Sequence, residues 1–89
     1  MINRKQARKR ILNFAQKHEG ETFDVAKMNE KDIYDYILAD TYLMIDAMLG
    51  YDADVNIILD RAIENAEKHK RDNFKTFIAD NKDKELRIL

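Results

Sequence analysis

The chain has no cysteine, no serine, no proline and no tryptophan among its 89 residues. Without cysteine there are no disulfides and no thiolate metal sites, so the disulfide scaffolds of small secreted proteins are excluded. Without serine or cysteine the usual nucleophiles of covalent catalysis are missing, and Thr22, Thr41 and Thr76 have no histidine at useful spacing. The two glycines, Gly20 and Gly50, stand alone and cannot cradle a phosphate; no phosphate loop, dinucleotide fingerprint or zinc motif occurs. No apolar run reaches the roughly 18 residues that a membrane-spanning helix needs. The basic N-terminus is not followed, after Arg10, by the apolar stretch of a signal peptide, and a cytoplasmic location is the reading that results.

What is present fits a helical domain. Hydrophobic residues make up 45% of the chain and charged residues 37%. A chain this short has room for one domain over 1–89 and one core, and it buries only about 60% of its unfolded surface. The apolar residues are plentiful and periodic, which argues against disorder.

The net charge is −1 but the charge is segregated. Residues 1–18 hold six bases and no acid; residues 19–64 hold twelve acids against Lys27, Lys31 and Arg61; residues 65–89 hold seven bases and five acids. Such blocks point to a surface that meets a charged partner, or to charge matching within the chain.

Periodicity predicts an all-α fold, a compact bundle of three or four helices with a short extended segment near 22–26. The first helix is expected over 4–19, capped by Asn3, with Ala7, Ile11, Phe14, Ala15 and His18 on one side. The second is expected over 30–49, capped by Asn29 and apolar over most of its circumference, which marks a central helix. It is more apolar than a three-helix monomer needs, so a homodimer is expected. The third starts after Tyr51, capped by Asp52 or Asp54, and carries Val55, Ile58, Leu59, Ala62, Ile63 and Ala66. A break near 71–73 is favoured over one helix to residue 80, because Lys70 and Asn73 would otherwise lie on the apolar face. The apolar tail, Leu86, Ile88 and Leu89, is expected to dock on this chain or on another.

The candidate chemistry is sparse. Asp32 and Asp35, one helical turn apart, have the spacing of a carboxylate pair or a divalent-metal site, but a solvated acidic face is the reading favoured for them. Asp52, Asp54 and Asn56 open like a calcium-binding loop, yet Ile57 and Ile63 occupy the positions that need Gly and Glu, so the two aspartates read as helix caps. His18 and His69 are too far apart for a local metal motif and read as partly buried structural histidines. No metal, no cofactor and no enzymatic activity is expected.

Two surfaces remain. One is the basic face of the first helix, Arg4, Lys5, Arg8, Lys9 and Arg10, which suits phosphates or the acidic middle of the same chain. The other is the second helix, where Asp32, Asp35 and Asp46 share a stripe beside Tyr36 and Tyr42, with Tyr51 following. Tyrosine is favoured at protein interfaces. The expected function is a small non-enzymatic interaction module, a regulator, adaptor or inhibitor such as a phage or mobile-element protein that blocks a host protein. The rivals are a nucleic-acid-binding accessory protein that uses the first helix and a self-assembling structural subunit. No membrane partner is expected.

Overall fold

The computed structural model describes residues 1–50 and 54–88. The expectations for Tyr51, Asp52 and Leu89 fall outside them. The described chain runs α1 (Arg4–Lys17), β1 (Thr22–Asp24), a single 3-10 turn (Val25–Lys27), α2 (Glu30–Leu49), α3 (Val55–Arg71), α4 (Lys75–Asn81) and β2 (Glu85–Arg87). It is the all-α bundle with a short extended segment that the periodicity implies.

Local chemistry sets the helix ends. Asn3 accepts the backbone N–H of Gln6, and the Gln6 side chain returns a bond to the Asn3 N–H, so two otherwise orphaned donors are satisfied. Asn29 caps α2 on Asp32, and Asp54 caps α3 on Asn56. The chain leaves α1 at His18 and α2 at Gly50; Gly50 has φ +67°, where a side chain is strained.

The break after Arg71 is real and has a mechanism. The Phe74 N–H bonds the His69 carbonyl and the Asn73 N–H bonds the Lys70 carbonyl. That crossed pair is a Schellman end, with Asn73 left-handed at φ 57°. Phe74 is also left-handed, at φ 60°, and is 2% exposed. A buried ring holds the strained backbone in place and turns α4 back toward the core.

One apolar cluster draws on all four helices and both strands. α2 and α3 form its main contact, and α1 packs on both of them. A chain of rings crosses the cluster: His18 to Phe14 at 4.5 Å between centroids, Phe14 to Phe23 at 5.6 Å, Phe23 to Tyr36 at 5.9 Å, Tyr36 to Phe77 at 6.0 Å, and Phe77 to His69 at 5.6 Å. It links α1, β1, α2, α4 and α3, and it gives both histidines the partly buried structural place expected of them. The tail docks on its own chain: β2 pairs antiparallel with β1, with Thr22 opposite Arg87, Phe23 opposite Leu86 and Asp24 opposite Glu85.

Candidate interaction surface

α2 has two unlike halves. Residues 33–39 are buried without interruption, enclosed by α1, α3 and the strand pair. Twenty residues make a helix about 30 Å long, and α1, with fourteen, reaches only about 21 Å. The far half of α2, from Asp40 on, is half-buried or exposed throughout. There Met44 is 50% exposed, Met48 79% and Leu49 52%, and Ile57 in the first turn of α3 is 51% exposed. Met44 and Met48 are one turn apart on the same helix face.

The charge of this segment is one-sided in sequence, with Arg4 of α1 reaching it only at Asp60, one turn beyond Ile57. No lysine or arginine occurs between Asp32 and Asp60, while Asp46 and Asp54 are exposed at the tip of the hairpin. Large apolar side chains grouped at the edge of a small protein, rimmed by a single sign of charge, mark a contact surface. Methionine suits such a place because its flexible thioether adapts to an irregular partner.

The expected acidic and tyrosine stripe is divided by the fold. Asp32 is half-buried, Asp46 is exposed, and Tyr42 is half-buried against the core. Asp35 and Tyr36 are corrections: they are 3% and 5% exposed and cannot meet a partner from where they stand. Asp35 accepts Nε of Arg10 at 2.6 Å and Nζ of Lys31 at 3.0 Å. With both oxygens engaged by cations, Asp35 does not form an acid–base or metal pair with Asp32. The Tyr36 ring lies in the aromatic chain, and its hydroxyl points to the Arg87 carbonyl at 3.4 Å. Burial, with Asp40 nearby, pushes its pKa up to about 12. Tyr34 is equally buried; its hydroxyl donates to Glu67 at 2.7 Å.

The basic face is divided as well. Arg4 makes two bonds to Asp60, at 2.7 and 2.8 Å, and this contact holds the Asp60 carboxyl below its ordinary value. Arg10 turns inward to Asp35. Charge matching within the chain thus takes two of the five candidate cations. Lys5, Arg8 and Lys9 are exposed and make no ion pair among the described residues, and Leu12 beside them is 57% exposed.

Asp40 was not singled out by spacing. It is half-buried in α2 and makes no hydrogen bond or ion pair among the described residues, and burial raises its pKa. An acid with a raised folded-state pKa binds its proton more tightly folded than unfolded. Its charge therefore costs stability as pH rises from about 4, the ordinary aspartate value. Asp40→Asn is expected to raise the melting temperature at pH 7, with a gain below about 1 kcal/mol, and the gain should vanish below about pH 3.5. Melts of both proteins across pH 3–8 check this.

Among the described residues no group of three or more His, Asp or Glu side chains is placed to hold a metal ion, and no helix is long and apolar enough to cross a membrane. No family model, no curated protein and no solved structure matches the chain.

Proposed function

We propose that the chain is a non-enzymatic protein-interaction module, a regulator or inhibitor that works by occupying a partner's surface with the end of its α2–α3 hairpin. The observation that carries this reading is that Met44, Met48, Leu49 and Ile57 are each exposed on a segment, residues 33–59, that holds acids and no base of its own. The matching partner surface is an apolar groove with a basic rim. Self-pairing of the same end would set Asp46 and Asp54 against their own copies, so a different protein fits the charge better than a second copy does.

The test is capture from lysate after nuclease treatment at about 150 mM salt, where exposed charges more than roughly 8 Å apart are screened. A retained protein should be lost, by at least about 30-fold in affinity, when Met44 and Met48 are both changed to Asp, which is the loss of a central anchor. It should survive Lys5→Glu with Lys9→Glu. Capture indifferent to the methionine changes would refute the reading.

A second reading has one observation in its favour, the unpaired Lys5, Arg8 and Lys9. Three cations on one exposed helix face would bind nucleic acid weakly and with a steep salt dependence. Material that vanishes with nuclease, and with Lys5→Glu and Lys9→Glu, would move the function to α1.

A further inference from the structure

At the other end of α2, between the first half of α1, the start of α2 and the end of α3, lies a cleft of about 450 Å³. That is the size of a small-molecule site. Its walls include Ile2, Arg10, Lys31, Tyr34, Lys70 and Phe74.

Arg10 is the unusual member. Its guanidinium is held from behind by Asp35, a carboxylate with only 5% of its side chain exposed, and it lies 4.7 Å from the centre of the Tyr34 ring. The bond to Asp35 uses Nε alone. Neither Nη nitrogen donates to the protein among the described residues, although the side chain is 71% covered. The ring is fixed in turn by the bond from its hydroxyl to Glu67. Lys70 brings its ammonium to 5.9 Å from the same ring. A guanidinium fixed by a buried anion and an aromatic face, with its outer fork free in a cleft, is pre-organised for one planar, bidentate acceptor.

The surrounding charge limits what that acceptor is. Glu30 and Glu67 also line the cleft, and Asp35 lies behind it, so the cations are nearly balanced. The site has directed donors without a strong positive field, which disfavours polyanions and dianions. Ile2 gives it an apolar wall, with the buried Phe74 ring behind it. We propose that this cleft binds a small monocarboxylate with an apolar body, its carboxylate on the Nη fork of Arg10 with Lys70 beside it, and its body against Ile2, over the buried Phe74 ring. The site is separate from the α2–α3 hairpin end, and its test does not depend on that surface.

The experiment is a titration of the full chain with hexanoate, read by NMR at the Arg10 Nε–H and at the Tyr34 and Phe74 rings. Hexan-1-ol and inorganic phosphate serve as probes of the same body without the charge and of charge without the body. Hexanoate should give saturable shifts at all three residues, while hexan-1-ol, which lacks the charge-assisted pair, and phosphate, which lacks the apolar body, should each bind at least about tenfold more weakly. Arg10→Lys keeps the charge and removes the fork, and should weaken hexanoate by at least about tenfold. Lys70→Met, at an exposed position that leaves the core intact, should weaken it by about three- to fivefold and serves if Arg10→Lys does not fold. No saturable shift, equal binding of hexan-1-ol, or unchanged binding in a folded Lys70→Met protein would each overturn the proposal.

Discussion

Asp35→Ala is expected to destabilise the protein by about 2–4 kcal/mol. Removing one member of a buried ion pair strands its partner and costs about 3–5 kcal/mol where that partner is sealed from water. Here Arg10 is 29% exposed and Lys31 72% exposed, so both cations regain some hydration and the figure is reduced. For a domain of this size the loss is a fall in melting temperature on the order of 10–25 °C. The cause can be separated from lost packing. Asp35→Leu combined with Arg10→Met removes both charges, and the double variant should lie within about 1–2 kcal/mol of the parent. Lys31→Met alone should cost under about 0.5 kcal/mol, because its pair is largely exposed. Urea unfolding of the four proteins gives the comparison. A single Asp35→Ala variant as stable as the parent would mean that the network carries no net structural weight.

The second large effect belongs to Phe74. Phe74→Ala is expected to cost about 3–5 kcal/mol, the range for truncating a buried aromatic. The ordering of two variants tests the reason. Glycine in place of alanine normally costs a further 0.5–1 kcal/mol or so. At φ 60° an alanine keeps the Cβ strain, about 1–2 kcal/mol, with no ring left to offset it. Phe74→Gly should therefore be no less stable than Phe74→Ala. A glycine variant clearly worse than the alanine variant would show that the left-handed strain is not being held there by the ring.

The features legible in the sequence are the local ones. Asn3, Asn29 and Asp54 announce three helix starts because a capping side chain acts within three residues. The break after Arg71 could be placed because Lys70 and Asn73 conflicted with the apolar phase of α3. What the sequence did not disclose depends on distant neighbours. Asp32, Asp35 and Asp46 share one angular stripe, so periodicity treats them alike. Lys31 stands four residues before Asp35, but Arg10, which decides that Asp35 is buried, comes 25 residues earlier. Tyr36 likewise differs from Tyr42 because it meets Phe23 of β1 and the Arg87 carbonyl of β2, segments some sixty residues apart in the chain. The excess apolar character of α2 was visible from composition. Its restriction to Met44, Met48 and Leu49 depends on which half of α2 the rest of the chain covers, and no local pattern shows that.

The most direct test of the hairpin end as the working surface is methionine oxidation footprinting of the whole chain, alone and bound to its captured partner. Met1, 93% exposed and outside the α2–α3 segment, serves as the internal reference. The expected result is that Met48 and Met44 oxidise readily in the free protein and are protected in the complex, while Met1 oxidises equally in both. If Met48 stays as reactive in the complex as in the free protein, the partner sits elsewhere and the proposed surface is wrong.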